Sequence, residues 1–340
     1  MVLTRDFEDH FRHLIDDGSV VGAAVGAIKG DETSTAFVGR IETASGEAAD
    51  ERTFFEIGSI TKTFTALLLA DMVVRGEAGL DEPISKYLPG LASAPIGTAT
   101  LVNLATHTSG LPRDPETVDW EQGDPAYAAM SSYSLDELLA GVSRFDLGAT
   151  ETDASYSNVG FALLGHVLAT VASVPYAELV AQRVCVPLGL GDTKILKADD
   201  PPDPMAVGHD EDGHPLPSWS LAGLAPAGGL VSSLRDMLRY AAAIIDPEET
   251  PLAEAIRSTT SPRVKLALDE PSERNLGVGL GWITETRAGS HCVWHTGGTH
   301  GFGSMLAVGR DRGTAVVVLA NSAHSEELDL AAFSLLDSLG

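Results

Sequence analysis

A serine and a lysine three residues apart are the clearest candidates for chemistry in this chain. Ser59 and Lys62 precede the apolar run at residues 64–74, which predicts a buried helix. Side chains at positions i and i+3 share one helix face, so the hydroxyl and the amine should lie side by side. A serine hydroxyl is a poor nucleophile until a base removes its proton, and burial lowers the pKa of an amine toward neutrality. The pair is therefore a candidate nucleophile and activating base, although a serine at this position could also serve as a helix N-cap.

Tyr156 and Asn158 form a second polar pair, at the start of another predicted helix. They stand directly before the apolar stretch at residues 159–171. A tyrosine hydroxyl near the lysine could transfer protons, most effectively if the positive charge of Lys62 lowers its pKa. The Asn158 side chain either hydrogen-bonds the lysine or the acyl side of a substrate, or it caps the following helix. Which of Lys62 and Tyr156 takes the serine proton stays open, and we treat them as one coupled unit.

A third segment combines a histidine with glycines at the end of a predicted strand. His295, Thr296, Gly297 and Gly298 follow a short strand-like run, and glycines let a ligand approach the backbone closely. His291 and His295 suggest a metal site at first sight. On a strand, however, they lie about 13 Å apart in backbone rise, which is too far for two ligands of one ion. We therefore expect no metal and no other cofactor.

In this order and spacing, the three segments resemble the motifs of the serine β-lactamase and penicillin-binding protein superfamily. Within it, the chain is similar to the class C β-lactamase-like branch, with its family VIII esterase and D-aminopeptidase relatives. The matching motifs are Ser59-x-x-Lys62, Tyr156-x-Asn158 and His295-Thr296-Gly297, with accessory stretches at residues 107–111 and 227–232. The resemblance spans nearly the whole chain.

The resemblance implies a role for each of these residues. Ser59 would be the nucleophile, and Lys62 and Tyr156 would be the proton-transfer groups. The backbone N–H groups of Ser59 and Gly298 would form the oxyanion hole. The substrate would be bound by Asn158, His295, Thr296 and Gly297.

His295 departs from the family pattern, which has a lysine at this position. A lysine is a permanent cation for a substrate carboxylate, whereas a histidine is cationic only below a pKa of about 6.5 if unperturbed. The site should therefore favour neutral acyl donors over β-lactams. His107, near a turn, is expected to be a structural hydrogen-bonding residue.

The composition excludes several kinds of partner. The 340 residues include 48 acidic and 22 basic ones, a net charge of −26, which repels nucleic acid and anionic membranes. Whether this acidity reflects adaptation to high salt stays open. The two cysteines, Cys185 and Cys292, are too few for a disulfide framework and should be buried free thiols. Residues 1–17 lack the apolar core of a secretory signal, so we expect a cytoplasmic protein.

The order of helix and strand patterns predicts an α+β fold. A helix and two strands begin the chain, helices fill its middle, and short strands with a final helix end it. This order indicates an antiparallel sheet built from both termini and flanked by helices, with an inserted, mostly helical domain. The resemblance implies the same β-lactamase-like arrangement. We assign residues 1–75 and 227–340 to the sheet region with the Ser59 helix, and residues 76–226 to a helical insertion carrying the Tyr156 motif.

Two finer expectations concern the strands and the longest loop. The runs at residues 277–283, 291–295, 303–309 and 315–321 predict an antiparallel meander. The stretch at residues 199–217 is rich in proline, aspartate and glycine, which is typical of a long surface loop.

These observations predict a cofactor-independent serine hydrolase that acts through an acyl-Ser59 intermediate on small esters or amides. Three alternatives stay open: a D-amino-acid peptidase, D,D-carboxypeptidase or β-lactamase; a biosynthetic transacylase; and an inactive ligand-binding homologue. The expected partner is a small-molecule ester, amide or peptide-like substrate. The acyl group, the leaving group and the oligomeric state stay open.

Overall fold

The computed structural model describes residues 3–44, 46–119, 124–145, 154–197, 199–266, 275–287 and 289–340. The helices are α1 (Leu3–Asp16), α2 (Thr61–Val74), α3 (Leu101–Ala105), α4 (Asp124–Ser132), α5 (Leu135–Arg144), α6 (Asn158–Ala172), α7 (Tyr176–Val180), α8 (Val186–Leu188), α9 (Ala225–Gly228), α10 (Leu234–Ile245), α11 (Ala253–Thr260) and α12 (Glu326–Leu339). The strands are β1 (Gly22–Lys29), β2 (Glu32–Gly39), β3 (Phe54–Glu56), β4 (Lys194–Ile195), β5 (Gly208–His209), β6 (Pro215–Leu216), β7 (Leu230–Ser233), β8 (Val264–Lys265), β9 (Gly277–Val278), β10 (Ile283–Arg287), β11 (Ser290–Gly298), β12 (Gly303–Gly309) and β13 (Thr314–Ala320).

The largest sheet joins the two ends of the chain. Among the described residues, eight strands pair in the order β2-β1-β13-β12-β11-β10-β9-β8. β1 pairs with β13 in an antiparallel register that runs from Ala23 opposite Ala320 to Lys29 opposite Thr314. Strands from the start of the chain therefore lie beside strands from its end, and the predicted sheet built from both termini is present.

Helices cover both faces of this sheet. Alternate residues of β1 point to opposite sides, so that Ala24 packs in one core and Val25 in the other. The core around Val25 includes apolar residues of α1 and α12. The core around Ala24 includes α2, whose residues from Thr61 to Met72 are all buried. A helix that is apolar on every side is stable only when it is enclosed in this way.

The predicted strand at residues 277–283 is wrong as a single element. Two short strands, β9 and β10, are separated by a turn in which Gly281 has a φ of +68°. A Cβ at Gly281 would lie 2.7 Å from the Lys62 carbonyl oxygen. The chain leaves the extended conformation here because its backbone passes against α2, and only glycine fits this conformation and this contact.

The loop predicted at residues 199–217 is only partly a surface loop. It contains the β5–β6 hairpin, and the His209 side chain is fully buried. The His209 N–H donates to the Gly301 carbonyl at 3.2 Å, and its Nδ1 lies 3.0 Å from the Asn321 carbonyl. These hydrogen bonds satisfy the buried polar groups and hold the segment against the end of the large sheet.

Within the described part of the chain, no single helix is long and apolar enough to cross a membrane. α6 and the segment Tyr176–Leu188 meet the length and composition criterion together, but they are bent by 81°. Most residues of α6 are buried in the core.

Glu56, at the end of β3, is a carboxyl group buried inside the protein. Its side chain is 3% exposed, and Oε1 accepts a hydrogen bond from the Trp219 N–H at 2.7 Å. Burial raises the pKa of this carboxyl group to about 7, although the hydrogen bond from Trp219 acts in the opposite direction. The folded protein therefore holds this proton over a pH range in which the unfolded chain has released it.

This raised pKa predicts a loss of stability as the pH rises through the range from about 4.5 to 7, because the unfolded state then binds fewer protons than the folded state. Glu56→Gln removes the ionisation and keeps an acceptor for Trp219. Between pH 5.5 and pH 8, we expect the unfolding free energy of the wild type to fall by about 2 kcal/mol relative to the variant. Urea unfolding at both pH values measures this difference, and parallel curves for the two proteins would contradict it.

Candidate active site

Ser59 lies in a tight turn that brings it against the end of β11. The turn, Gly58–Ile60, is a 3₁₀ helix directly before α2, and no side chain caps either helix. Gly58 has a φ of +47°, and a Cβ there would lie 2.7 Å from the Gly298 nitrogen. Glycine at position 58 therefore permits the close approach of the two backbones. Ser59 is not a capping residue, and its hydroxyl faces other side chains.

The Lys62 amine lies beside the Ser59 hydroxyl, as the helical spacing predicted. The distance from Lys62 Nζ to Ser59 Oγ is 3.0 Å. Nζ also donates to Asn158 Oδ1 and to the Ala227 carbonyl oxygen, each at 2.7 Å. The side chain is fully buried, and this burial, together with the nearby Arg113 guanidinium, holds the pKa of Lys62 well below its usual value, while Asp114 opposes the shift.

Asn158 is the first residue of α6, and its amide group is oriented by a carboxylate. Its Nδ2 donates to Asp114 Oδ1 at 2.6 Å, so its Oδ1 is directed to Lys62. The helix is capped by Ser157, whose Oγ accepts from the Gly160 N–H at 2.8 Å. The alternative that Asn158 caps this helix is therefore wrong, because the residue before it already does so.

The Tyr156 hydroxyl shares a hydrogen bond with the Ser59 side chain. Its half-buried ring lies 4.8 Å from Lys62 Nζ and 5.0 Å from the Arg113 guanidinium carbon. Burial raises the pKa of Tyr156, and the hydrogen bond with Ser59 opposes this only in part. The sequence-based idea that a charged Lys62 lowers the Tyr156 pKa does not hold, because burial raises this pKa while it lowers that of Lys62.

His107 packs against the ring of Tyr156. The two rings stack with centroids 4.5 Å apart, and His107 Nδ1 accepts a hydrogen bond from the Ser157 N–H at 3.0 Å. Burial lowers the pKa of His107 far below its ordinary value, and the Lys62 charge acts in the same direction. An imidazole that accepts at Nδ1 and stacks on a neighbour has the contacts of a positioning residue.

The end of β11 forms an open edge beside Ser59. β10 pairs with β11 only as far as Ile283 opposite Trp294, whereas β12 continues to Gly303 opposite Gly298. Among the described residues, no strand pairs with residues 295–298 on the side of β10. A Cβ at Gly297 would lie 2.2 Å from the Ile57 carbonyl oxygen, so this edge packs tightly against the chain that leads to Ser59.

His295 is buried and neutral. Its side chain is 5% exposed, and Nδ1 donates to the Thr296 carbonyl oxygen at 2.5 Å. Burial and the Lys62 charge lower the pKa of His295 to about 3, although the hydrogen bond to Thr296 acts in the opposite direction. The expectation of a cationic His295 below about pH 6.5 is therefore wrong, because the ring is shielded from water beside an amine.

A cavity of about 700 Å³ brings together most of the predicted site residues, and its far walls were not anticipated from the sequence. The predicted residues that line it are Ser59, Tyr156, Asn158, His295, Thr296 and Gly298, whereas Lys62 and Gly297 lie behind the lining. The additional lining residues include Arg113, Asp114, Tyr127, Trp219 and His324. Arg113 and Asp114 follow the accessory stretch at residues 107–111 almost directly, and this adjacency was the available signal. The aromatic residues come from distant segments that no spacing connects. Among the described residues, no group of three or more His, Cys, Asp or Glu side chains could hold a metal ion.

Comparisons with known proteins relate this chain to one family. The family model described as Beta-lactamase matches residues 7–339. A Beta-lactamase of Pseudomonas fluorescens is 28% identical over 96% of each chain. The D-alanyl-D-alanine-carboxypeptidase/endopeptidase AmpH of Escherichia coli K12 is also 28% identical, over 87% of this chain and 78% of its own length.

Solved structures show the same fold. A class C β-lactamase from Rhodobacter sphaeroides superposes with a TM-score of 0.82 at 26% identity, covering 97% of both chains. Another class C β-lactamase gives a TM-score of 0.85 at 22% identity, over 98% of this chain and 95% of its own. The predicted α+β fold of the β-lactamase type is thereby confirmed. The chain belongs to the β-lactamase family, within the superfamily of serine β-lactamases and penicillin-binding proteins.

Proposed function

We propose that this protein is a serine hydrolase that forms an acyl-Ser59 intermediate with small esters or amides. The observation that carries the proposal is the set of contacts around Lys62. A neutral amine has two N–H groups, and Asn158 Oδ1 and the Ala227 carbonyl oxygen, which only accept, take both of them. When Lys62 is neutral, as a base must be, its nitrogen lone pair is left for the hydroxyl proton of Ser59, whose Oγ lies 3.0 Å away.

In the proposed acylation, Ser59 Oγ attacks the substrate carbonyl while its proton moves to Lys62. The N–H groups of Ser59 and Gly298 stabilise the oxyanion, a role supported by the close approach of Gly58 to Gly298. The proton then reaches the leaving group through Lys62 and the Tyr156 hydroxyl as the bond to the leaving group breaks. Water then attacks the carbonyl of the acyl-Ser59 ester, and its proton returns through the same groups to Ser59 Oγ. The bond to Ser59 breaks, and the carboxylic acid is released.

The open edge of β11 offers backbone groups of residues 295–298 to an extended substrate, with Thr296 lining the cavity. This feature favours one further candidate, a β-lactamase or D,D-carboxypeptidase, the activities that the names of two relatives state for those proteins. A neutral His295 argues against it, because a substrate carboxylate would find no cation at that position. A transacylase would share the acylation step and would use another molecule in place of water as the acyl acceptor. The contacts of Lys62 support an enzyme over an inactive binding homologue.

Covalent labelling tests the nucleophile. We expect a fluorophosphonate to modify Ser59, because its hydroxyl contacts the amine that activates it. Intact mass followed by peptide mapping should place the adduct on the Ser59 peptide, and Ser59→Ala should lower kcat by about 10⁴ to 10⁶. Ser261→Ala, which changes an exposed serine at the end of α11, is the matched control. An adduct confined to any other serine would refute the proposal.

A double-mutant cycle tests whether Lys62 and Tyr156 act as one unit. Lys62→Met removes the amine but keeps an apolar stem in the buried position, and Tyr156→Phe removes only the hydroxyl. If both groups serve one proton path, each single variant should lose nearly as much kcat as the double variant. Ester hydrolysis measures this once circular dichroism has shown that all variants fold. Losses that multiply fully would show two independent roles.

The substrate preference at pH 7.5 follows from the neutral His295. We expect p-nitrophenyl esters of short acids to exceed nitrocefin by a wide margin in kcat/KM. The ratio of kcat/KM for the ester to kcat/KM for nitrocefin should stay constant between pH 5.5 and pH 8, because His295, with a pKa of about 3, does not titrate in this range. His295→Lys should narrow the gap by improving nitrocefin, whereas His291→Lys, on the same strand outside the cavity, should not.

Two results would count against this substrate assignment. One is a wild-type enzyme that hydrolyses nitrocefin faster than every ester tested. The other is a ratio that shifts toward nitrocefin as the pH falls through about 6.5, the value for an unperturbed histidine.

A further inference from the structure

The charges around the cavity are distributed unevenly. The pKa of His295, at the motif position, is lowered to about 3, and Lys62 is not a lining residue because its amine is held by Asn158 Oδ1 and the Ala227 carbonyl oxygen. His324 Nε2 lies 3.0 Å from the carboxylate of Asp329, which balances any charge on this ring. An anionic substrate therefore finds no unbalanced cation in this part of the lining.

Arg113 differs from these groups because it carries a permanent charge and is open to the cavity. Its side chain is 69% exposed, and it lines the same cavity as Ser59. Its Nε forms an ion pair with Asp114 Oδ2 at 3.7 Å, which balances part of this charge but is too long for a hydrogen bond. In the described part of the chain, the two terminal nitrogens of Arg113 donate to no protein acceptor. A guanidinium with both terminal groups unused can bind a carboxylate in bidentate fashion.

The position of Arg113 relates this charge to the acyl side of the substrate. Its guanidinium carbon lies 5.0 Å from the Tyr156 ring centroid, and its carbonyl oxygen accepts the Asn158 N–H at 2.8 Å. Asn158 lines the same cavity and is among the residues expected to bind the substrate, with the acyl side as one of its expected contacts. The neighbouring Asp114 is already engaged by the Asn158 amide, so its carboxylate orients that side chain.

We propose that Arg113 is a specificity-determining residue that binds a carboxylate at the far end of the acyl group, so that half-esters and half-amides of dicarboxylic acids are preferred substrates. The proposal rests on the acyl-Ser59 reaction proposed above. It also modifies the expectation, drawn from His295, that the acyl donor is neutral. The part of the substrate near His295 should be uncharged, and the acyl group should carry an anionic end.

Matched esters test this proposal. p-Nitrophenyl hexanoate and mono-p-nitrophenyl adipate have acyl chains of six carbons each, and in the adipate a carboxylate replaces the terminal methyl group. The 6-aminohexanoate ester carries an ammonium group instead. Measurements at an ionic strength of 0.15 M screen charges beyond about 8 Å, so the acidic surface of the protein contributes little.

In the wild type, we expect the adipate ester to have a higher kcat/KM than the hexanoate ester. Arg113→Gln should lower the adipate-to-hexanoate ratio at least about tenfold, mainly through KM, which is the scale of one charge-assisted contact. Arg113→Lys should recover part of the ratio. Arg263→Gln removes the same charge from an exposed position outside the cavity and should leave the ratio unchanged.

Adipate itself provides a second measurement. We expect it to inhibit hexanoate hydrolysis competitively, with an inhibition constant at least about tenfold weaker in Arg113→Gln. An unchanged ratio and an unchanged inhibition constant, in a variant that hydrolyses the hexanoate ester through Ser59, would overturn the role of Arg113 alone. A preference for the 6-aminohexanoate ester would overturn it too. An enzyme that hydrolyses none of the three esters and forms no Ser59 adduct would instead overturn the proposed function.

Discussion

The complete burial of the Lys62 amine is the constraint on which the rest of the site depends. Burying an amine is costly unless its N–H groups find acceptors, and Lys62 finds them on segments far apart in the chain. The Ala227 carbonyl at the end of α9 must lie within hydrogen-bond distance of Lys62 Nζ, and the oxygen of the Asn158 amide must point toward it. Asp114 fixes that direction by accepting the other end of the amide. Three segments must therefore meet around α2 before Ser59 has a base beside it.

Burial also decides where charge is found. Glu56, Lys62 and His295 are all shielded from water, and in each case the pKa moves toward the neutral form. A charged side chain is found instead at Arg113, which is largely exposed, with Asp114 beside it. The reacting groups thus lie in a region of low polarity, where hydrogen bonds to a developing oxyanion are stronger than in water.

Much of the fold was predictable from the sequence because the relevant signals are local. Helical spacing placed Lys62 beside Ser59, and alternating and apolar runs gave the β1–β2 hairpin and α6. The partners that orient the site are not local in this sense. Nothing in the sequence around Glu56 indicates Trp219, which is 163 residues away. The break after β9 and the burial of His209 likewise depend on contacts with distant segments, so the local pattern could not reveal them.

The open edge of β11 has one more consequence. An unpaired strand edge is ordinarily a hazard, because it invites a strand of another molecule to add to the sheet and begin aggregation. Here the free edge faces a cavity of about 700 Å³, whose other walls include Tyr127 and Trp219. Those walls leave room for a short extended ligand but obstruct the strand of a neighbouring protein. The shape of the cleft thus limits the access of a neighbouring molecule to this hydrogen-bonding edge.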